Sequence, residues 1–276
     1  MDKNYSPLRY PGGKGKFSNT VKDIIDQNSL YDSIYIEPFA GGAGVALSLL
    51  LSQYVKEIVL NDINYQLFSF WKTLIYQPDY LLRKVQDADL TITEWEKQRN
   101  IFRNPLQYEQ KKVGFAFFYL NRTNRSGILN AGVIGGLEQK GKYKMDVRFN
   151  KTTLRRRIQT IIDYKSKIHL YNLDTIDFLR NFKIDKKKHY FAYFDPPYFD
   201  KGQDLYTNFY SYNDHEELRN TINSQVNYKW ILTYDDTPEI RNLYNQYKII
   251  PFNLLYCAHK IRMGKELLIA SKAVNI

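Results

Sequence analysis

Four consecutive residues, Asp195 to Tyr198, place the tightest constraint on how this chain of 276 residues can fold. They read Asp-Pro-Pro-Tyr and follow the apolar, strand-like run Tyr190–Phe194. Because proline has no backbone N–H to donate, the chain cannot continue as a central strand through Pro196 and Pro197 and must leave the sheet there. A carboxylate, free carbonyl groups and an aromatic ring then meet at the end of a buried strand. That group suits a planar ring with an exocyclic NH2, whereas two prolines alone would indicate only a turn.

A second motif, Glu37–Gly44, holds three glycines between a strand-like run at 33–36 and a helix-like run at 45–51. A strand, a glycine turn and a helix in that order form the cofactor cradle of doubly wound sheets, because glycine lets the backbone approach a ligand closely. The spacing does not match the G-x-G-x-x-G pattern of a pyrophosphate site. Further along, the apolar run Val55–Leu60 leads to Asp62, and an acid at such a strand end can accept both hydroxyls of a ribose. The two features predict a site for a nucleoside cofactor.

The N-terminal run Pro7–Lys16 has the look of a phosphate-binding loop but lacks one of its required residues. That loop needs a Ser or Thr directly after Gly-Lys to bind magnesium, whereas Gly15 follows Lys14 and Phe17 follows Lys16. ATP is therefore not the ligand that this segment indicates.

The charge of the chain favours a polyanionic partner. Forty Lys and Arg against twenty-nine Asp and Glu give a net charge of +11 and a pI near 9.4, as expected of a protein that binds a phosphate backbone. The excess is concentrated, because residues 140–188 contain fifteen Lys or Arg and only five Asp or Glu. Arg155, Arg156 and Arg157 cannot all share one helix face, so phosphate contact and ordinary solvated surface both remain open for this triplet.

The cysteine and histidine content gives no indication of a disulfide or a metal site. The chain has one cysteine, Cys257, and its four histidines, at 169, 189, 215 and 259, show no ligand spacing. No apolar stretch is long enough to cross a bilayer, and the N-terminus lacks the apolar core of a signal peptide. We therefore expect no metal, no membrane contact and a cytoplasmic, reducing location.

Apolar strands alternate with helix-like stretches along most of the chain. This order predicts an α/β fold with a Rossmann-like, mostly parallel sheet that helices cover on both faces. The last two strands have a short connection and are expected to form an antiparallel hairpin. Residues 1–71 and 168–276 form the predicted catalytic domain, and 72–167 a largely helical, inserted target-recognition domain. The later strands are expected at Ile168–Leu173, Tyr190–Phe194, Lys229–Tyr234, Tyr247–Phe252 and Glu266–Ala270.

The insertion ends its helical part with the polar run Asn121–Gly127. Asn and Arg side chains can pair with the edges of adenine and guanine, which makes Arg122, Asn124 and Arg125 candidates for DNA contact. Asn-rich loops also satisfy their own backbone groups, and this alternative remains open. The helical patterns before this run are at 79–88, 93–104 and 108–120.

Taken together, these motifs resemble those of DNA adenine N6-methyltransferases of the Dam type. Pro7–Lys16 is similar to the N-terminal cofactor motif of that family, Glu37–Gly44 to its glycine motif, and Asp195–Tyr198 to its catalytic signature. Asp62 matches the acid that binds the ribose. The motif order fits over nearly the whole chain, and the resemblance implies an S-adenosylmethionine-dependent enzyme of the alpha group of amino-methyltransferases.

The resemblance also implies roles for individual residues. Asp195, Pro196 and Tyr198 are expected to be catalytic and to handle the target base. Glu37 is expected near the methionine amino group of the cofactor, and Asp174 near its adenine. The residues expected to contact S-adenosylmethionine are Tyr10, Lys14, Glu37, Phe39, Gly41, Gly44, Asp62, Asp174 and Asp195.

The chemistry explains why these residue types are needed. The amine of adenine is a weak nucleophile because its lone pair is delocalised into the ring. The Asp195 carboxylate and the Pro196 carbonyl would accept its two N–H groups and direct the lone pair at the methyl group. Tyr198 would stack on the base, which must be flipped out of the duplex. Asn121 and Arg122 are open to two roles, bracing this site or reading bases.

The predicted function is site-specific methylation of adenine N6 in double-stranded DNA by a monomer. A restriction-modification system, with the endonuclease encoded separately, is one setting that fits. Two alternatives remain: methylation of another amine, such as an RNA base, cytosine N4 or a protein amide, and a non-catalytic nucleic-acid-binding module. The basic insertion favours a large polyanion, and the intact Lys14, Asp62, Asp195 and Tyr198 favour an enzyme over the module.

Overall fold

The computed structural model describes residues 5–9, 17–199, 210–256 and 262–276. None of the helices in these ranges is long and apolar enough to span a membrane. The strands are β1 (Ile34–Glu37), β2 (Glu57–Asn61), β3 (Ile168–Tyr171), β4 (Tyr190–Phe194), β5 (Lys229–Asp235), β6 (Lys248–Tyr256) and β7 (Arg262–Ala270). The helices are α1 (Phe17–Asn28), α2 (Gly44–Leu51), α3 (Tyr65–Tyr76), α4 (Pro78–Gln86), α5 (Ile92–Arg103), α6 (Gln110–Thr123), α7 (Lys151–Ile162), α8 (Thr175–Asn181), α9 (Tyr212–Gln225) and α10 (Pro238–Leu243).

The seven strands form one sheet in the order β3-β2-β1-β4-β5-β7-β6. Strands β1 to β5 are parallel, and β7 pairs antiparallel with both β5 and β6. The predicted α/β fold, with a mostly parallel sheet and a C-terminal antiparallel hairpin, is confirmed. The direction of winding reverses between β1 and β4. In open α/β sheets, ligands bind outside the carboxyl ends of the strands at such a switch point.

The central strands are buried on both faces of the sheet. Every residue of β1 and β4 is buried, and β4 reads Tyr-Phe-Ala-Tyr-Phe. Tyr35 packs on one face, in a core cluster with α1 to α3, whereas Ile34 and Ile36 pack on the other face with α8 to α10. Burial on both faces explains why these strands read as continuous apolar runs in the sequence.

The segment 72–167 shares the first core cluster with the sheet, because side chains of α4 to α7 belong to it. Phe70 of α3 stacks on Phe118 of α6 with ring centroids 5.5 Å apart. Gly114 permits this close approach, since a Cβ there would lie 2.4 Å from the carbonyl oxygen of Ser69. The helices predicted in this segment are present as α4, α5 and α6, while the division into two domains stays a prediction.

Candidate active site

The predicted motifs end three neighbouring strands at the same edge of the sheet. The glycine turn of Glu37–Gly44 follows β1, Asp62 follows β2, and the tetrapeptide Asp195–Tyr198 follows β4. All three strands are parallel, so their carboxyl ends lie side by side at the switch point. Tyr10 and Lys14, which the N-terminal motif predicts as cofactor contacts, lie outside the described residues.

The glycine turn has a fixed, tightly hydrogen-bonded backbone. Gly41 has φ of 47°, and Ala43, the residue before α2, has φ of 48°, in the left-handed region that favours glycine. The indole nitrogen of Trp71 donates to the Gly41 carbonyl at 3.1 Å. On the next residue, the Gly42 carbonyl accepts from the Ser6 hydroxyl at 2.6 Å. The turn is therefore held by α3 on one side and by the N-terminal segment on the other.

Asp62 is bonded directly to this turn. Its Oδ2 accepts from the Gly41 backbone N–H at 2.9 Å, and its Oδ1 accepts from the Asn64 N–H at 2.9 Å. Burial raises the pKa of Asp62, and the two backbone hydrogen bonds oppose that rise. The carboxylate is thus fixed beside the glycine turn at the end of β2, where the sequence predicted the ribose acid.

Glu37 lies deeper, at the end of β1, and is 4% exposed. Its Oε1 accepts from the Ala46 N–H in the first turn of α2 at 2.9 Å. Burial, with a smaller contribution from the nearby charge of Asp195, raises the pKa of Glu37 to about 8, although the hydrogen bond from Ala46 opposes the rise. The glycine motif and the catalytic tetrapeptide therefore bring two carboxyl groups within electrostatic reach of each other.

The Asp195 carboxylate is oriented by a hydroxyl on the neighbouring strand. The Thr233 hydroxyl of β5 donates to Asp195 Oδ1 at 3.1 Å. The same hydroxyl lies 2.9 Å from the Tyr193 hydroxyl of β4. This chain of hydrogen bonds fixes the position of the carboxylate from inside the sheet.

Two further acids hold the residues that follow the prolines. Tyr198 donates its hydroxyl to Glu266 Oε1 at 2.5 Å, and the Phe199 N–H donates to Asp235 Oδ1 at 2.9 Å. Asp235 and Glu266 are directly opposite each other in the β5–β7 ladder and are 3% and 1% exposed. The Tyr198 ring is 3% exposed, so stacking on a base requires that its face become accessible.

Thr233, Asp235 and Glu266 were not predicted from the sequence. One signal was present, because Thr233 interrupts the apolar run of β5, and Asp235 and Glu266 are acids at the ends of apolar runs in β5 and β7. Buried polar groups need hydrogen-bond partners, which makes such residues candidates for a site at the strand ends.

Asp174 and Phe39 lie at the β3 side of the same edge. Asp174 is the N-cap of α8, and its Oδ1 accepts from the Ile176 N–H at 2.8 Å. The next residue, Thr175, donates its hydroxyl to the Pro38 carbonyl at 3.2 Å, which ties this helix start to the glycine turn. The Phe39 side chain is partly buried. The cofactor contacts predicted for Asp174 and Phe39 therefore stay predictions, at positions beside the turn.

Asn121 braces the N-terminal segment. Its Oδ1 accepts from the Arg9 N–H at 2.7 Å, and its Nδ2 donates to the Arg9 carbonyl at 2.8 Å. Gly127 makes room for this contact, since a Cβ there would lie 2.5 Å from the Arg9 carbonyl oxygen. Of the two roles left open for Asn121, the structure supports bracing.

Asn124 is part of the fold and does not reach the surface. It is 0% exposed, and its Oδ1 accepts from the Trp95 indole N–H at 2.7 Å. Its Nδ2 donates to the carbonyls of Ile128 and Leu129 at 3.1 Å and 2.9 Å. The structure therefore contradicts the predicted DNA contact of Asn124, because every polar atom of its side chain is used within the loop.

The two arginines predicted to contact DNA have different surroundings. Arg125 is exposed, and its guanidinium lies against Gly132, where a Cβ would come 2.9 Å from Nη2. Arg122 is partly buried; its Nε donates to the Arg148 carbonyl at 2.8 Å and its Nη1 to the Pro7 carbonyl at 3.4 Å. A DNA contact therefore stays a prediction for both residues.

Comparison with known proteins gives relatives of one kind. The chain is 25% identical over 229 residues to the type II methyltransferase M.MjaIII of Methanocaldococcus jannaschii, covering 77% of this chain and 76% of that protein. It is 25% identical over 211 residues to the modification methylase StsI of Streptococcus sanguinis, covering 70% of this chain and 28% of that longer protein. A solved structure of a candidate RNA methyltransferase from Pyrococcus horikoshii matches 96% of this chain and 85% of its own, at 8% identity and a TM-score of 0.47.

A family model gives the assignment. The model of the D12 class N6 adenine-specific DNA methyltransferases matches residues 10–258, which include the glycine turn, Asp62 and the catalytic tetrapeptide. The match supports adenine in DNA as the acceptor over the other amines and over a non-catalytic module. The chain belongs to the D12 class of N6 adenine-specific DNA methyltransferases.

Proposed function

We propose that this methyltransferase acts on an adenine flipped out of duplex DNA, and that Asp195 and the Pro196 carbonyl hold its amine during methyl transfer. The observation that carries the proposal is the position of Asp195. It ends β4 at the switch point of the sheet, and its charge acts on Glu37 of the glycine motif. The acceptor for the base and the cofactor motif therefore share one edge of the sheet.

The family and the fold imply S-adenosylmethionine as the methyl donor. When bound, it supplies an electrophilic methyl group. Asp62 fits the ribose, because each carboxylate oxygen accepts one backbone N–H and keeps a second lone pair. Glu37 fits the ammonium group, because burial opposes its negative charge and a cation would relieve that cost. The other residues that we propose to line this site are Tyr10, Lys14, Phe39, Gly41, Gly44, Asp174 and Asp195.

The acceptor groups act on the adenine amine by position and charge. Asp195 and the Pro196 carbonyl would each accept one N–H, which draws the nitrogen toward tetrahedral geometry and frees its lone pair. The negative carboxylate also stabilises the positive charge that develops on the nitrogen. Thr233 supports this role, because its hydroxyl keeps Asp195 oriented before the base arrives. No covalent intermediate with the protein is required.

Tyr198 is proposed to stack on the flipped base. Base–aromatic stacking contributes about 1–3 kcal/mol in proteins that bind single strands, which offsets part of the cost of unstacking the adenine. The hydrogen bond to Glu266 fixes the ring by its hydroxyl and leaves its faces to other partners. Entry of the base would then uncover one face of a ring that is already held in place.

We propose that the segment 72–167 supplies the DNA recognition surface, with Arg125 and Arg122 as contacts. Arg125 is exposed near a loop that contains several glycines, and arginine can pair bidentately with guanine in the major groove. Arg122 is partly buried and donates to two backbone carbonyls. A variant that loses activity on cognate and altered sites equally would show a positioning role, and a change of preference would show base reading.

Identification of the product tests the proposal most simply. With a labelled methyl donor, duplex DNA should acquire N6-methyladenine, while RNA of the same sequence stays unlabelled. In Asp195→Ala, turnover should fall by about a hundredfold to a thousandfold, which is the contribution of one aligned electrostatic group to catalysis. Binding of the duplex should survive.

Asp185→Ala is the matched control, because Asp185 is an exposed carboxylate before the amino end of β4, at the edge of the sheet opposite to Asp195. It should keep the activity of the wild type. N4-methylcytosine as the product, or normal turnover in Asp195→Ala, would refute the proposed role.

The names of the relatives support a place in a restriction-modification system. One is a type II methyltransferase and another a modification methylase. We propose that this chain works as a monomer beside an endonuclease encoded separately. Sequencing of modified bases in DNA from cells that express the chain should give one short site, and methylation scattered over unrelated sequences would contradict this setting.

A further inference from the structure

Three arginines lie in the N-terminal segment 6–9 or hydrogen-bond to it, and the charge of a fourth acts on two of them. One belongs to that segment, one to α6, one to the short 3-10 helix Met145–Arg148 and one to α7. We call them the arginine cluster: Arg9, Arg122, Arg148 and Arg157. The contacts that join them span up to 151 positions in sequence, so the cluster is a product of the tertiary fold.

The hydrogen bonds of the cluster go to backbone carbonyls. Arg122 donates through Nη1 to the carbonyl of Pro7, and Arg157 donates through Nη1 to the carbonyl of Ser6 at 3.2 Å. Arg122 also donates to the Arg148 carbonyl. In the part of the chain that the structure describes, no carboxylate forms an ion pair with any of the four guanidinium groups.

The like charges of the cluster oppose one another. Burial, together with the charges of Arg9, Arg157 and Arg148, lowers the pKa of Arg122 to about 9. Burial and the charge of Arg148 also lower the pKa of Arg9. Arg9 and Arg122 are partly desolvated cations that form no ion pair with a described carboxylate, which is unfavourable unless an anion joins them.

We propose that the arginine cluster binds a phosphate group of the duplex backbone beside the target adenine. This inference rests on the proposed function and names a subsite of the same DNA-binding surface. Guanidinium groups bind phosphate through two parallel N–H bonds, and several can surround one phosphate because its oxygens accept in many directions. The phosphate would remove the repulsion within the cluster.

The position of the cluster connects this phosphate to the active site. Segment 6–9 carries Ser6, whose hydroxyl holds the Gly42 carbonyl of the glycine turn. It also carries Arg9, whose backbone N–H and carbonyl are both hydrogen-bonded to the Asn121 side chain. A phosphate held here fixes the DNA strand at a set distance from the turn, which positions the flipped base without reading its sequence.

The variants Arg148→Gln and Arg157→Gln test the proposal. Arg148 is exposed, and the hydrogen bond that it accepts from Arg122 uses its backbone, so its substitution leaves the fold intact. The control is Arg156→Gln, which makes the same charge change at an exposed position next to Arg157 on α7. Affinity for a duplex is measured by fluorescence anisotropy over a range of salt concentrations.

We expect each cluster variant to bind the duplex about tenfold more weakly at low salt and to lower the slope of log K against log salt by about one. The loss of affinity should be equal for a duplex with the recognition site and for a duplex with one base of that site changed. The melting temperature should not fall below the wild-type value, because each variant removes one of the like charges, and cofactor affinity without DNA should stay unchanged. Arg156→Gln should keep the wild-type slope.

Two outcomes would overturn the inference. One is that both cluster variants keep the wild-type affinity for the duplex and the wild-type salt slope. If the wild type still methylates DNA in that case, the proposed function is unaffected. The other is that inorganic phosphate raises the melting temperature of the wild type and of neither variant, while duplex binding is the same in all three proteins. That result would assign the cluster to free phosphate. Absence of methylation by the wild type would instead defeat the proposed function itself.

Discussion

The carboxyl edge of the sheet and the arginine cluster form two neighbouring regions of opposite charge, and they satisfy that charge in different ways. Glu37, Asp235 and Glu266 are almost fully buried, and each accepts a hydrogen bond from the protein itself. Three of the four arginines donate to carbonyls, and none of the four forms an ion pair with an acid among the described residues. The acids are thus organised in advance of the substrate, whereas the arginines have charge left for a ligand.

The same contrast exists within the loop after α6. Asn124 is buried and its side chain is fully hydrogen-bonded, while Arg125, one residue later, is exposed. A polar residue in this loop can therefore serve either the fold or the DNA, and burial decides which.

The largest effect in this comparison is expected for Asn124→Ala. The change leaves the Trp95 indole N–H and two carbonyls without their partner, so the free energy of unfolding should fall by about 3 kcal/mol. Arg125→Ala should change it by less than about 0.5 kcal/mol and should weaken DNA binding. Denaturant unfolding measures the stability of both variants, and a duplex-binding titration measures the loss of DNA affinity. Equal stability of the two variants would show that the side chain of Asn124 does not stabilise the fold.

A smaller effect is expected at Thr233, which tests whether the acids are organised in advance. Thr233→Val removes the hydroxyl that donates to Asp195 and keeps the shape of the side chain. We expect kcat to fall about tenfold, because one hydrogen bond contributes about 1.4 kcal/mol at the transition state. KM for DNA should not change. A variant with normal kcat would show that Asp195 is positioned without this hydroxyl.

The effect of pH tests the buried acid Glu37. Between its ordinary pKa of 4.5 and the raised value of about 8, folded protein keeps a proton that the unfolded chain releases. The free energy of unfolding of the cofactor-free protein should therefore fall as pH rises through this window, by at most about 1.4 kcal/mol per pH unit. Glu37→Gln should lack this component of the fall. Denaturant unfolding at several pH values compares the wild type with Glu37→Gln. If the free energy of unfolding of the two proteins depended on pH in the same way, Glu37 would not be the source of the fall.

Cofactor binding should depend on pH in the opposite direction. The ammonium group of the cofactor favours ionised Glu37, so the affinity of the wild type should increase from about pH 6 to about pH 8. Glu37→Gln should bind more weakly and with little dependence on pH in this range. Calorimetric titration without DNA measures this, and a pH-independent wild type would argue against contact between Glu37 and the ammonium group.

The sequence was sufficient for the features that depend on local pattern. Continuous apolar runs such as Tyr190–Phe194 indicated buried parallel strands, and the two prolines after Asp195 indicated where the chain leaves the sheet. The family resemblance implied one site for Glu37, Asp62 and Asp195, and the structure brings these residues to one edge, whereas the order of the strands in the sheet was not predicted.

The missed features all depend on contacts between distant parts of the chain. Glu266 meets Tyr198 across 68 positions, and Thr233 meets Asp195 across 38. Asn124 is of a residue type that reads bases and lies in a polar loop, but its side chain accepts a hydrogen bond from Trp95, 29 positions away. Local pattern shows that a residue is polar, whereas only the packed structure shows which partner satisfies it.

The most direct test of the account is a crystal structure of the wild type with a duplex containing its site and with the demethylated cofactor. The account predicts an extruded adenine whose N6 lies about 2.7–3.2 Å from both a carboxylate oxygen of Asp195 and the Pro196 carbonyl oxygen, with Tyr198 against the ring. A stacked, paired target adenine, or an Asp195 carboxylate turned away from N6, would contradict it.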